Sequence, residues 1–237
     1  LPAVRRVADA AHLAVSRRYD AAVFDLDGTL VDNIRWHLQA WVEMGRKLGV
    51  DITAEQFERE YSGRRNEEIF PAVARRPLAP EELSRLAAEK EARYRELYAP
   101  HLRLHGGAGA LLASLEQARV TCAIASAAPA ENRAFVLHGL GLEARFRAVV
   151  GAEAVTRGKP FPDLFLAAAA AVDVPPARCL AFEDAVLGVQ AARAAGMDVV
   201  GLTTTTSAAL LREAGAQWTA ADFTGLPGDV RAGLGLS

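Results

Sequence analysis

From Leu104 onward the chain alternates short apolar, β-branched runs with helical stretches, and no other feature limits the possible fold so strongly. Residues 106–119 read as a helix and 120–125 as a strand ending in Ser126. A helix over 131–140, a strand over 146–150 and a helix over 162–172 follow. Residues 178–182 make a strand that ends in Glu183 and Asp184. After it come a helix over 185–195, a strand over 198–202, a helix near 208–214 and a last strand near 217–219. Repeated strand–helix–strand units close as parallel pairs with the helix laid across one face. The expected fold class is therefore α/β, with a Rossmann-like parallel sheet core and helices on both faces.

One strand stands apart from this series. Residues 19–24 are apolar and bounded by charge, and they run into Asp25-Leu26-Asp27-Gly28-Thr29-Leu30-Val31-Asp32. Between that strand and the alternating region, residues 34–99 carry helix signals alone. His37, Trp41, Met44 and Leu48 recur at helical spacing as one stripe. Asn33 is placed to cap that helix and Thr53 to precede a second one. Pro80-Glu81-Glu82 opens a long charged helix that Pro100 ends. The pattern predicts an N-terminal stretch over 1–18, read as a short helix or an ordered extension, and a core of 19–33 and 100–237. A helical cap over 34–99 is inserted after the first strand, so it must sit over the carboxyl edge of the sheet.

The 237 residues, 51% of them hydrophobic, are enough for one sizeable core and a smaller module. A net charge of −2 provides no basic field, so neither nucleic acid nor an anionic membrane is an expected partner. Cys122 and Cys179 lie in apolar runs and read as small core residues. No apolar run approaches a membrane span. Asp9 and His12 interrupt the short apolar stretch near the start, which argues against a secretory signal. A soluble, cytoplasmic protein is expected, and a monomer, because no exposed apolar stripe stands out.

Open α/β sheets place ligand sites at the carboxyl ends of their strands. At those ends stand Asp25, Asp27, Glu183 and Asp184 against a single lysine, Lys159, in the loop Gly158-Lys159-Pro160-Phe161-Pro162. So many carboxylates call for a cation, and Mg²⁺ fits, since it takes few carboxylates, keeps waters and binds substrate phosphate. The Ser126 hydroxyl and the backbone N–H groups after it, at Ala127, can hold phosphate oxygens. Lys159 can neutralise a phosphoryl group. One carboxylate can act as nucleophile and form an aspartyl phosphate, while a second protonates the leaving oxygen and later takes a proton from water. Crowding by other carboxylates is expected to keep that acid protonated near neutral pH.

These stretches, together with Glu183-Asp184-Ala185-Val186-Leu187-Gly188 and the sequence up to Met197, resemble the haloacid dehalogenase superfamily of aspartate-nucleophile phosphotransferases over residues 19 to about 226. The resemblance implies Asp25 as nucleophile and Asp27 as acid/base. It implies Mg²⁺ held by Asp25, the Asp27 carbonyl and Asp184, with Glu183 beside them. It implies that Ser126 and Lys159 bind the phosphate, and that the helical cap moves. Within the superfamily the chain is most similar to the β-phosphoglucomutase-like subgroup, through Trp36 to Trp41, Gly63 and Lys90. That likeness assigns His37 and Lys90 to the substrate side; Trp41, Arg65 and Asn66 are candidates beside them, with Trp41 read also as core and Arg65 also as surface charge. Two readings stay open for His37, a substrate contact or a packed core histidine, and two for Lys90, a role or a solvated face. Three departures separate the chain from a mutase. Asn66 stands where the mutase has a phosphate-gripping arginine, Ala128 and Pro129 where it has serine and lysine, and Asn33 where it has threonine. The expected activity is a Mg²⁺-dependent phosphatase of small phosphorylated metabolites, such as sugar phosphates. A β-phosphoglucomutase is the alternative and a non-catalytic phospho-aspartate switch a third reading, which the cap and Asp27 disfavour.

Overall fold

A computed structural model describes residues 17–236, so the helical reading of residues 1–16 lies outside the described residues. Strand β1 (Ala21–Phe24) runs through the middle of a six-stranded sheet with β2 (Thr121–Ser126), β3 (Ala148–Gly151), β4 (Cys179–Glu183), β5 (Asp198–Leu202) and β6 (Trp218–Ala220). Their order is β3-β2-β1-β4-β5-β6 and every pair is parallel. The strand sequence changes direction of travel at β1, flanked by β2 and β4. Ends of those three strands therefore lie side by side: Phe24 pairs with both Ile124 and Phe182. A switch point of this kind leaves a crevice at the carboxyl edge.

The helices are α1 (Ile34–Lys47), a short α2 (Ala54–Gln56) that continues as a π-turn over Phe57–Tyr61, α3 (Asn66–Ala74) and α4 (Pro80–Tyr98) in the insertion. Helices α5 (Ala108–Gln117), α6 (Ala130–Gly139), α7 (Asp163–Ala171), α8 (Val186–Ala194), α9 (Ala208–Glu213) and α10 (Gly228–Gly233) follow. The last of these carries no signal that the sequence reading picked out. Alternate strand residues point to opposite faces. Phe24, Ile124 and Phe182 join Leu111 and Leu115 of α5 and Val136 of α6 in one buried cluster. Val23, Ala123 and Ala181 join Phe165 of α7 and Val189 of α8 in another. The Phe24 and Phe182 rings stack at 4.9 Å on the first face, which locks the two strands that carry the acidic loops.

Residues of the insertion have a third apolar cluster of their own: Trp41, Met44, Phe57, Tyr61, Phe70 and Leu86 are all buried in it. Trp41 and Met44 of the predicted stripe form this cluster's α1 side, with Leu48 only partly buried against it; His37 lies outside it. Thr53 caps α2 by accepting from Gln56 N at 3.1 Å. Asn33 does not cap α1 through its side chain, contrary to expectation; its amide turns inward to the site instead. Cys122 and Cys179 are buried and free. No helix among the described residues is long and apolar enough to cross a membrane.

Candidate active site

Asp25 follows β1 directly, and its backbone N–H donates to Phe182 O at 3.0 Å. Its carboxylate is thereby held beside the end of β4, where Glu183 and Asp184 lie. Ligand oxygens of Asp25, Glu183 and Asp184 all come within 4.8 Å of one another, and all three residues are buried. Lys159 reaches into this group and donates to Asp25 Oδ1 at 2.6 Å and, closer still, to Glu183 Oε1. One ammonium against three buried carboxylates leaves negative charge uncompensated. Burial raises Asp25 well above the ordinary range, and the charges of Glu183, Asp184 and Asp27 add to this against the pull of Lys159. Burial and Glu183 likewise raise Asp184 to about 7, with the Thr205 and Thr29 hydroxyls pulling the other way. Burial works against the charged form of Lys159, but Asp25 and Glu183 outweigh it and raise its pKa. A divalent cation would relieve the remaining repulsion, and oxygen donors of this kind fit a hard ion.

The carboxylates do not share one role. Both Glu183 oxygens are occupied, one by Lys159 and the other by the backbone N–H groups of Asp184 and Ala185 at 2.9 and 3.0 Å. Gly188 leaves the space for this side chain; a Cβ there would collide with the Glu183 carboxylate. Asp184 accepts from Thr29 Oγ1 at 2.7 Å and from Thr205. At Gly28, φ is +79° and a Cβ would strike the same Asp184 carboxylate, so only glycine suits both the turn and the approach.

Asp27 points elsewhere. Its Oδ1 accepts from Asn33 Nδ2 at 2.6 Å and lies 3.8 Å from His37 Nε2. Asn33 is fully buried, donates also to Tyr94 Oη at 2.7 Å and accepts from Gly28 N at 3.0 Å. Burial by itself would raise Asp27, yet the neighbouring imidazole and the Asn33 amide outweigh it and hold the carboxyl below its ordinary range. This corrects the sequence expectation, in which crowding keeps Asp27 protonated. The crowded carboxyls are Asp25 and Asp184, whereas Asp27 turns toward His37 of α1 and Asn33 just before it.

A cavity of about 370 Å³ opens over this group, floored by Asp25, Asp27, Lys159 and Asp184. All five residues predicted for the substrate side line it: His37, Trp41, Arg65, Asn66 and Lys90. Ala127 lines it too, but Ser126 does not; that hydroxyl accepts from Ala128 N at 3.1 Å and so shapes the turn that carries Ala127. Lys90 is 2% exposed, which removes the solvated-face reading. It donates to Glu91 Oε1 at 2.9 Å and sits 3.1 Å from His37 Nδ1, while the His37 ring stacks on Tyr94 at 3.7 Å. His37 is thus both packed and in the site.

Sequence reasoning missed Glu91, Tyr94 and Asn132. Glu91 accepts from Asn66 at 2.8 Å within the insertion and from Asn132 of α6 at 2.6 Å. Arg95 donates to the same Asn132 at 2.8 Å. A three- or four-residue spacing along α4 (Lys90 or Glu91, Tyr94, Arg95) was the available signal, since it places them on one helix face. Arg65 Nη2 approaches Val155 O at 3.5 Å, and its Nε is buried without a partner.

Residues 19–196 match the haloacid dehalogenase-like hydrolase family. The chain is 34% identical over 197 residues to validoxylamine A 7'-phosphate phosphatase of Streptomyces hygroscopicus subsp. limoneus, covering 83% of this chain and 91% of that one. It is 32% identical over 194 residues to a fructose-1-phosphate phosphatase of Escherichia coli, covering 77% and 96% respectively. The crystal structure of β-phosphoglucomutase from Clostridium difficile superposes with a TM-score of 0.82 at 26% identity, over 92% of this chain and 97% of that one.

Proposed function

Since the chain belongs to the haloacid dehalogenase-like hydrolases, we propose that it hydrolyses phosphoric monoesters of small metabolites, sugar phosphates foremost, through an aspartyl phosphate on Asp25. In the first step an Asp25 carboxylate oxygen forms a bond to phosphorus as the bond to the ester oxygen breaks. Asp27 delivers a proton to that oxygen, and an alcohol leaves. In the second step Asp27, now a carboxylate, takes a proton from water as the water oxygen attacks phosphorus. Inorganic phosphate departs and Asp25 is regenerated. The donors around Asp27 favour the carboxylate and so suit the second step; the first requires a proton taken up beforehand.

Lys159 neutralises the phosphoryl oxygens from its place beside Asp25. Backbone N–H groups after Ser126, Ala127's included, cradle them. Asp25, Asp184 and the Asp27 carbonyl would hold Mg²⁺, with Glu183 restraining Lys159; the ion would supply charge neutralisation for the transferring group. Residues 34–99 act as a cap that closes over the ester, with His37, Trp41, Arg65, Asn66 and Lys90 facing it. The protein is taken as a cytoplasmic monomer with no nucleic-acid partner.

The observation that carries hydrolysis over mutase chemistry is the core-side wall of the cavity. Ala127, Ala128, Pro129 and Ala130 form it and present no cation or hydroxyl for a second phosphate, while the Asn66 amide is committed to Glu91. One feature favours a mutase: Arg65 lines the cavity with an unpaired Nε. Product analysis with β-glucose 1-phosphate separates the two. A hydrolase releases inorganic phosphate and glucose, whereas glucose 6-phosphate formed in the presence of a bisphosphate primer identifies a mutase. Trapped protein gaining the mass of one phosphoryl group, and not gaining it as Asp25→Ala, supports the nucleophile. Undiminished turnover by that variant would refute it.

A further inference from the structure

A second cavity, of about 290 Å³, lies on the far side of the π-turn from the first. Three residues, Ile34, Phe57 and Ser62, line both. They are the wall between the two spaces. Phe57 opens the π-turn and is 6% exposed; Ser62 follows the turn and donates its N–H to Phe57 O at 3.0 Å. That bond spans five residues, the widened pitch that recurs at functional positions in helices. It brings Phe57, Tyr61 and Ser62 together at the edge of the substrate cavity.

The second cavity has the surface of a carbohydrate subsite. Its charged side chains are Asp32 and Glu58 against Arg35; Asp32 is already paired with Arg103, which leaves Glu58 and Arg35, one of each sign. A second phosphate finds no excess of positive charge there. Thr204, Thr205 and His105 line it with Leu38 and Ala54, the mixture of apolar faces and single polar groups that suits a ring bearing hydroxyls. The Thr204 hydroxyl donates to Gly28 O and that of Thr205 to Asp184, so both meet a ligand as acceptors. His105 Nε2 is buried without a partner, and burial lowers that imidazole's pKa, so it meets a ligand as a neutral group. The first cavity, about 370 Å³, is near the low end of small-ligand sites, about 300–1,000 Å³.

We propose that Phe57 sets the length of ester this protein accepts, and that the second cavity receives the further, uncharged ring of a disaccharide phosphate when that wall is removed. This rests on the phosphatase reading above. With Phe57 in place, the leaving group is limited to a single ring.

The test compares glucose 6-phosphate with trehalose 6-phosphate, following inorganic phosphate, with p-nitrophenyl phosphate as a general ester. Phe57→Ala is expected to move the kcat/KM ratio toward trehalose 6-phosphate by at least about tenfold, the scale on which pocket shape discriminates. Ile34→Ala, at a partly exposed position, moves it in the same direction and serves if Phe57→Ala does not fold. Adding Ser62→Trp to Phe57→Ala refills the gap and returns the ratio. An unchanged ratio in both single variants, while either ester is still turned over, overturns the proposal. If no ester is hydrolysed, p-nitrophenyl phosphate included, the phosphatase reading falls instead. Calorimetric titration with trehalose and with glucose then decides the partition alone: selective tightening for trehalose in the Ile34→Ala variant sustains it, and equal affinities in variant and parent reject it.

Discussion

Glu91 is a buried carboxylate that joins the helical insertion to the core, and its energetic weight follows from its neighbours. It is 5% exposed and accepts from Lys90, Asn66 and Asn132 at 2.9, 2.8 and 2.6 Å. Burial by itself would raise its pKa. The charges of Lys90 and His37 and the Asn66 amide outweigh burial and bring it from 4.5 to about 2. An acid depressed by that amount on folding contributes about 3 kcal/mol at neutral pH. The sign follows from the order of the two values. Folding favours the ionised form, so the contribution is complete above about pH 4.5. It declines by about 1.4 kcal/mol per pH unit below that, and is gone near pH 2.

Glu91→Gln keeps the shape but leaves Lys90, 2% exposed, without its opposite charge. The variant should lose about 3 kcal/mol at pH 7, a size typical of breaking one side of a buried pair. Urea unfolding followed by tryptophan fluorescence reads the loss, because Trp36 and Trp41 both lie on α1. Repeated at pH 3, the gap between parent and variant should narrow by about 2 kcal/mol, because Glu91 of the unfolded parent is by then protonated while that of the folded parent is still mostly ionised. Taking the difference between the two proteins cancels the other acids that titrate in the same range. A gap equal at both pH values would refute the electrostatic account and leave only packing.

Asp27→Asn should lower kcat by about 10²–10⁴-fold, the usual worth of a general acid/base, while Mg²⁺ affinity by titration calorimetry changes little; a collapse of metal affinity would assign the carboxylate to the ion. Gly188→Ala forces a methyl into the Glu183 carboxylate, so it should destabilise by about 1–3 kcal/mol and cut phosphate release by displacing Lys159, with a wild-type rate and melting temperature as the contrary result. The Mg²⁺ concentration for half-maximal rate should rise by about tenfold per pH unit below pH 7, because protons compete for Asp184, whose pKa is raised to about 7. A half-saturating concentration that does not vary between pH 7.5 and 6 would exclude that competition.

Local pattern was enough to determine the α/β architecture, the insertion after β1 and the residues at the carboxyl edge. Strand and helix periodicities are properties of neighbouring residues, and a strand's end is where its loop begins. Asp25, Lys159, Glu183 and Asp184 were therefore legible as a group, although 134 positions separate Asp25 from Lys159. Tertiary structure alone decided which way each side chain turned. Asn33 looked like a helix cap because capping is a local act, yet burial offered its amide the Asp27 carboxylate, Tyr94 and Gly28 N. Ser126 kept to its own turn. Protonation depended on the same orientations: one strand end placed Asp25 among carboxylates and turned Asp27 toward donors on α1 and at its start. The Glu91–Asn132 contact joins residues 41 positions apart on two helices. No spacing rule within either helix encodes it, because it exists only once α4 has packed across α6.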